Sequence, residues 1–227
     1  MHHEEAYQEK NNTRTILPEV IVLGLIAMLF AYGCQYKASS HEKEGAKHSE
    51  AAPEAAEMPK GKLDSAGNFI YEEGAMTALV LGKDTLHVGQ NSTEYKLYTF
   101  LSDSNAPLDT VNGNWFDFTN VRFNTGSATI TDSSFYQLKN LAAIARFFPK
   151  AQFKIGGYTD NTGDSATNVK LSQGRADAVL GAVQKLGVSS TQLTGAKGYG
   201  PEHPVGDNAT PEGKAVNRRV SVNVKAK

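Results

Sequence analysis

Helical spacings of apolar residues mark two segments in the C-terminal half of the chain. The segment between Asp132 and Pro149 has apolar residues at intervals of three and four, which predicts an amphipathic helix that Thr131 or Asp132 caps and the proline ends. The apolar positions of this helix are Phe135, Leu138, Leu141, Ala142, Ala145 and Phe148. A longer helix is predicted from Ser165 to Leu186, where Gly187 ends it.

Strand-like alternation precedes and follows these two helices. Residues 116–123 and 152–158 predict two strands, and residues 193–199 and 219–224 predict two more. The resulting order is strand, helix, strand, helix, strand, strand (βαβαββ). It predicts an α+β fold in which one mixed sheet carries both long helices on one face, with right-handed strand–helix–strand crossovers.

A small β-rich unit is predicted before this domain, at residues 63–112. Two apolar runs, 78–81 and 85–88, flank a short loop that contains glycine, which predicts a hairpin. Asn91 is the predicted N-cap of the helix that follows, with Glu94 in the capping-box position. The pattern assigns no chemistry to this unit, and its role stays open.

The most apolar run of the chain, Val20 to Tyr32, contains 13 residues without a charge. That length is typical of a signal-peptide core and short for a membrane span, which needs roughly 20 residues. The run ends in Ala31-Tyr32-Gly33-Cys34, which resembles the lipobox of bacterial lipoproteins, where the chain is cut before an acylated cysteine. Residues 1–34 are therefore predicted to be a signal peptide and lipobox with lipidation at Cys34. The alternatives are an uncleaved membrane anchor and a soluble protein.

Amino-acid composition excludes some kinds of site and indicates one disordered segment. Cys34 is the only cysteine in 227 residues, which excludes an intrachain disulfide and a CxxC redox pair. Residues 35–62 are rich in Ala, Glu, Lys and Ser, with balanced charges, and are predicted to be a disordered, flexible linker. The formal net charge of −1 gives no reason to expect nucleic-acid binding.

A candidate site lies between the strand at 152–158 and the long helix. Asp160 lies in the connecting loop, and Asn168, Leu171 and Arg175 are spaced to share one face of the helix. A cation on an otherwise apolar stripe is costly unless it is paired, and Asp160 is the nearest candidate partner of Arg175. One interpretation is a salt bridge that fixes the loop. The other is a pocket whose carboxylate and guanidinium bind the ammonium and the carboxylate of a zwitterion.

The same residues resemble a known family. The pattern is Thr159-Asp160-x-x-Gly163-x-x-x-x-Asn168-x-x-Leu171-Ser172-x-x-Arg175-Ala176, with Asn217-Arg218-Arg219-Val220 near the end. It is similar to the signature of the OmpA-like peptidoglycan-binding domain, here at residues 115–227. The resemblance implies noncovalent binding of the cell-wall stem peptide, through its diaminopimelate. It also implies that Asp160 and Arg175 bind the ligand and that Thr159, Asn168, Leu171 and Arg219 line or support the pocket.

This resemblance and the N-terminal segment predict a non-enzymatic protein of the cell envelope. It would be lipid-anchored on the periplasmic face of the outer membrane and would link that membrane to peptidoglycan, with other envelope proteins as further candidate partners. The alternative is a stator-like component of an inner-membrane motor or transport complex, in which the N-terminal helix is uncleaved. No cofactor or metal site is predicted, because His203 is the only histidine after Trp115 and no Ser/His/Asp set is evident.

Overall fold

The computed structural model describes residues 58–227; the predictions for residues 1–34, for Cys34 and for most of the linker at 35–62 lie outside the described residues. The described elements are β1 (Gly61–Leu63), β2 (Phe69–Tyr71), β3 (Met76–Leu81), β4 (Asp84–Gly89), α1 (Thr93–Ser102), β5 (Asn114–Asp117), a 3₁₀ turn (Asp132–Ser134), α2 (Phe135–Phe147), β6 (Gln152–Gly157), α3 (Ser165–Lys185), β7 (Leu193–Gly198), α4 (Pro211–Asn217) and β8 (Val220–Ala226). None of these described helices is long and apolar enough to cross a membrane.

A four-stranded sheet in the order β5-β8-β6-β7 is the centre of the fold. Strand β8 pairs antiparallel with both β5 and β6, whereas β6 and β7 are parallel and are connected through α3. Val220, Val222 and Val224 of β8 are almost completely buried in the core. The strict alternation in this strand thus predicts its apolar core face correctly, although Ser221 and Asn223 on the other face are also buried. The mixed sheet confirms the α+β class.

Three helices bury apolar side chains in one cluster with this sheet. The residues that they contribute include Leu97 and Leu101 from α1, Leu138, Leu141 and Ile144 from α2, and Val179 and Val183 from α3. The two long helices predicted from the sequence are α2 and α3. Because α1 and Leu81 of β3 belong to the same cluster, residues 63–112 share their core with the domain that follows.

Close packing of α3 on the sheet depends on two glycines. A Cβ atom at Gly157 of β6 would lie 2.2 Å from the carbonyl oxygen of Ser172, and one at Gly198 of β7 would lie 2.3 Å from the backbone nitrogen of Gln173. Ser172 therefore lies directly over the sheet. The loop that precedes α3 and the first turns of that helix are in this way held against the ends of β6 and β7.

The buried face of α3 differs from the predicted one by about one residue. The sequence predicts a core stripe through Leu171, Ala178, Ala182 and Leu186, whereas the buried residues of α3 are Asn168, Ser172, Ala176, Val179 and Val183. The predicted stripe is wrong at Leu171 and Ala178, because the glycine contacts place Ser172, not Leu171, against the sheet. Ala182 and Leu186 are partly buried and pack against the core as predicted. Arg175 consequently lies at the flank of the buried face, where it is half-buried.

The β3–β4 hairpin and the helix after it follow the predicted pattern, with one correction. The two strands pair antiparallel with Ala78 opposite His87. The N-cap of α1 is Ser92 rather than Asn91, because the Ser92 hydroxyl accepts from the backbone nitrogen of Tyr95. Glu94 is then buried and accepts hydrogen bonds from side chains of α2.

A second hairpin, formed by β1 and β2, and the short helix α4 are not predicted from the sequence. The linker predicted at 35–62 is wrong at its end, because Gly61 and Lys62 pair with β2 as part of β1. Phe69 of β2 packs in a small separate cluster with Ala215 and Val216 of α4. The helix begins with signals that sequence reasoning could have used, since Thr210 is a side-chain N-cap and Pro211 occupies the first turn. This contact joins the start of the described residues to the segment just before β8.

Candidate functional site

The loop after β6 brings three of the predicted site residues together. The backbone nitrogen of Thr159 donates to the carbonyl of Gly200 at 2.8 Å, which ties the loops after the parallel strands β6 and β7 to each other. The Thr159 hydroxyl donates to the carbonyl oxygen of Asp160 at 2.8 Å. Asn168 donates through its side-chain amide to the carbonyl of Thr162 at 2.9 Å. Thr159 and Asn168 thus hold the backbone on both sides of Asp160.

The ion-pair partner of Asp160 is Arg218. Nη1 of Arg218 donates to Oδ2 of Asp160 at 2.8 Å, and the backbone nitrogen of Thr162 donates to Oδ1 at 2.9 Å. Burial raises the pKa of Asp160, but the hydrogen bonds from Arg218 and Thr162 outweigh this effect and leave the pKa below its ordinary value of 3.8. The predicted Asp160–Arg175 salt bridge is therefore wrong: α4 ends at Asn217 and places Arg218 within reach of the carboxylate.

Arg175 has no carboxylate partner among residues 58–227. Its Nε donates to the carbonyl of Ser127 at 3.0 Å, and its guanidinium lies 5.1 Å from the ring centroid of Phe123. Burial and the nearby positive charge of Arg218 lower the pKa of Arg175, and the charge of Asp160 opposes this shift. An arginine stays protonated under such conditions, so the site holds a half-buried cation without a carboxylate in direct contact, which an anion would stabilise.

A cavity of about 280 Å³ adjoins Arg175, and we call it the arginine cavity because Arg122, Arg175, Arg218 and Arg219 all line it. The β1–β2 hairpin forms one of its walls, partly through Tyr71, whose burial raises the pKa of its phenol to about 12 and keeps it neutral. No Asp or Glu of the described residues lines this cavity. Its electrostatic character therefore favours an anionic group.

Arg219 is the most completely buried of the four arginines, and it is fixed from the sheet side. Its Nε donates to Asp117 at 3.2 Å, and its Nη2 donates to the carbonyl of His203 at 3.0 Å. The guanidinium lies 3.8 Å from the centroid of the Tyr158 ring. Within residues 58–227, its Nη1 has no hydrogen-bond partner. Arg219 thus supports the cavity wall and keeps one donor unused.

The structure adds two arginines that sequence reasoning did not assign to the site. Arg218 was visible only as a member of the closing Asn217-Arg218-Arg219-Val220 segment. Arg122 lies opposite the hairpin, where it donates to the carbonyl of Phe69 at 3.4 Å and lies 4.0 Å from the carboxylate of Asp64. Leu171, which was predicted to line the pocket, is half-buried on α3, one turn before Arg175.

Comparison with known proteins identifies the family. Residues 122–218 match the model of the OmpA family. This segment is therefore a domain of the OmpA family. The matched segment contains Thr159, Asp160, Asn168, Leu171 and Arg175, and it ends one residue before Arg219. The β1–β2 hairpin lies outside the OmpA match.

Relatives of this OmpA domain occur in several envelope proteins. Outer membrane porin F of Pseudomonas fluorescens is 42% identical over 47% of this chain and 32% of its own length. Peptidoglycan-binding protein ArfA of Mycobacterium tuberculosis (strain H37Rv) is 36% identical over 45% of this chain and 31% of its own length. The crystal structure of the peptidoglycan-associated lipoprotein from Burkholderia pseudomallei is 30% identical, with a TM-score of 0.44, over 55% of this chain and 98% of that one. The chain thus spans about a third of each of the two curated relatives.

Proposed function

We propose that this protein binds peptidoglycan noncovalently through a zwitterionic end of the stem peptide, of the diaminopimelate type. The observation that carries the proposal is the half-buried Arg175, which has no carboxylate partner among residues 58–227 and lies at a cavity without acidic lining. The buried Asp160 carboxylate lies nearby on the adjoining loop. The match of residues 122–218 to the OmpA family and their similarity to the peptidoglycan-binding protein ArfA support this choice of ligand.

In this proposal Arg175 and Asp160 each bind one charged group of the ligand. Arg175 offers the remaining donors of its guanidinium to the ligand carboxylate, while its Nε stays on the carbonyl of Ser127 and fixes the plane of the fork. Asp160 accepts from the ligand ammonium. Each charge-assisted hydrogen bond contributes roughly 1.5–3 kcal/mol when it is shielded, and less where water competes. Binding at one site is therefore modest and requires no chemical step.

Residues outside the described range would attach this domain to a membrane. In this proposal cleavage after Gly33 removes residues 1–33 and leaves an acylated Cys34 as the new N-terminus, and the linker that follows it spans the distance to the wall. Many copies on one membrane would then add their individual contacts by avidity. Mass spectrometry of the native N-terminus tests the anchor separately from binding, because an N-terminal acylated cysteine supports it and an intact Met1 contradicts it.

Sedimentation with purified peptidoglycan tests the site. We expect Asp160→Asn and Arg175→Gln each to reduce the bound fraction of the full-length protein by an apparent factor of about ten or more. Asp177→Asn and Lys170→Gln are matched controls, because they remove the same charges from exposed positions on α3. Unchanged binding in both site variants would contradict the assignment. Soluble stem peptides with lysine in place of diaminopimelate should compete poorly, since they lack the second carboxylate.

A further inference from the structure

We propose that Arg218 is a latch that occupies Asp160 in the empty site, with its second anchor in the β1–β2 hairpin, and that the ligand ammonium displaces it. This inference rests on the proposed function, because it concerns how the same carboxylate becomes available. It gives a role to Arg218 and to the β1–β2 hairpin, which have none if only Asp160 and Arg175 bind the ligand.

The guanidinium of Arg218 bridges two parts of the chain that are distant in sequence. Its Nη1 donates to Oδ2 of Asp160 at 2.8 Å, and its Nη2 donates to the carbonyl of Gly67 at 2.7 Å. Gly67 lies in the turn between β1 and β2 with a φ of 76°, a conformation that glycine adopts readily. Because both terminal nitrogens of its guanidinium donate hydrogen bonds, Arg218 is fixed beside the Asp160 carboxylate, which a ligand ammonium would need.

The position of Arg218 controls access from the cavity. Arg218 lines the arginine cavity, whereas the Asp160 carboxylate that it binds does not. The side chain of Asp160 has a relative exposure of 12%, against 37% for Arg218. A ligand in the cavity therefore meets Arg218 first, and the more exposed arginine can turn outward to solvent while Asp160 stays in place.

The hairpin has a firm attachment of its own and does not depend on Arg218. Phe69 packs against Ala215 and Val216 of α4, and Arg122 contacts both the Phe69 carbonyl and Asp64 on the other side. The Gly67 carbonyl is thereby held at a constant place. It is a fixed second acceptor that holds Arg218 over the carboxylate in the empty site.

The latch also provides specificity for a ligand that carries an ammonium. Displacing Arg218 with a neutral group would leave the buried Asp160 carboxylate without a charged partner, which is costly. A ligand ammonium replaces the lost charge at Oδ2.

Calorimetric titration with a stem tetrapeptide that contains meso-diaminopimelate tests the latch in the full-length protein. We expect Arg218→Gln to bind the peptide about three- to tenfold more tightly than the wild type, because no internal cation competes for Asp160. Arg122→Gln is the matched control, since it removes the same charge from the same cavity and also ends a contact with the hairpin. The control should not bind more tightly. Unchanged or weaker binding by Arg218→Gln overturns the latch.

Asp160→Asn in the same titration separates the two proposals. If Asp160→Asn loses binding and Arg218→Gln does not gain it, the latch fails and the proposed function stands. If the wild type does not bind, or binds no better than Asp160→Asn, the proposed function fails and the latch fails with it.

A direct readout is the ¹⁵N spectrum of the arginine guanidinium groups. In the empty protein the two anchored ends should slow the rotation of Arg218, and saturation with the peptide should restore fast rotation. Rotation that stays slow in the saturated protein overturns the displacement. The spectrum of Arg146, an exposed arginine on α2 that donates to the carbonyl of Leu186, should not change.

Discussion

Asp160 and Arg218 form an ion pair at 2.8 Å across 58 positions of sequence. This pairing leaves Arg175, the cation that the sequence places nearest to Asp160, with a backbone carbonyl and an aromatic ring as its partners. The carboxylate and the cation of the proposed site are thus in different states before any ligand arrives. The Asp160 carboxylate is already paired with Arg218, whereas Arg175 has no carboxylate partner among residues 58–227.

The lowered pKa of Asp160 predicts how stability depends on pH. Above the unfolded-state value near 3.8 the carboxylate is ionised in both states, and its contacts with Arg218 and Thr162 stabilise the folded protein fully. As the pH falls below 3.8 the unfolded chain takes up the proton first, so this stabilisation is lost towards the lower folded-state pKa.

Urea denaturation at about pH 5 and about pH 3 measures this loss. The difference in free energy of unfolding between the wild type and Asp160→Asn should shrink at the lower pH. Comparison with this variant is necessary because the pKa values of Asp64, Asp109 and Asp164 are also lowered. A difference that does not change between the two pH values would contradict the assigned pKa direction.

Glu94 is expected to be a major polar contributor to stability. It is 4% exposed, and its carboxylate accepts from Gln137 at 2.8 Å and from Asn140 at 3.1 Å. Glu94→Ala leaves both buried amides without this acceptor and should lower the free energy of unfolding by about 2–3 kcal/mol. Glu72→Ala, at an exposed position, is the control and should change it by less than about 0.5 kcal/mol. Equal effects of the two substitutions would show that the amides find other partners.

Gly157 should not tolerate a side chain. The added methyl group of Gly157→Ala would lie 2.2 Å from the carbonyl oxygen of Ser172, so β6 and α3 would have to separate, at a cost of about 3 kcal/mol. Gly181→Ala in α3 is the control, because space is open there and alanine favours a helix by about 0.8 kcal/mol. Thermal denaturation should therefore shift in opposite directions for the two variants. A stabilising Gly157→Ala substitution would rule out the close packing.

Arg175→Lys tests whether binding requires the planar guanidinium donors or only a positive charge. Lysine keeps the positive charge but cannot hold the Ser127 carbonyl and present a planar pair of donors at once. We expect peptidoglycan binding to fall about fivefold or more, with little change in the free energy of unfolding. Lys170→Arg on the exposed face of the same helix should leave binding unchanged. Full retention of binding by Arg175→Lys would mean that only a point charge is needed.

Local sequence patterns were sufficient for the framework of the site. Apolar periodicity located α2, α3 and the strands β6, β7 and β8, and the same pattern placed Asp160 in the loop after β6. The strand predicted at 116–123 is wrong in its bounds, because β5 comprises Asn114–Asp117 and the chain leaves the sheet after Asp117. Local patterns did not identify the buried face of α3. Whether Leu171 or Ser172 faces the sheet depends on where Gly157 and Gly198 let the helix approach the strands. Local patterns also missed α4, whose seven residues are too few for periodicity to show.

By itself, the sequence determined the α+β class, the OmpA pattern and the presence of an aspartate and an arginine in one loop and helix. Those features depend on hydrogen bonds and apolar spacings between near neighbours along the chain. Only the tertiary structure decided that Arg218 binds Asp160 and that the hairpin walls the cavity. The contact between Arg218 and Gly67 joins residues 151 positions apart, and no periodicity encodes a pairing over that distance. Folding of the whole core brings Arg218 to Asp160 and Gly67. It therefore determines that Asp160, and not Arg175, already has an ion-pair partner.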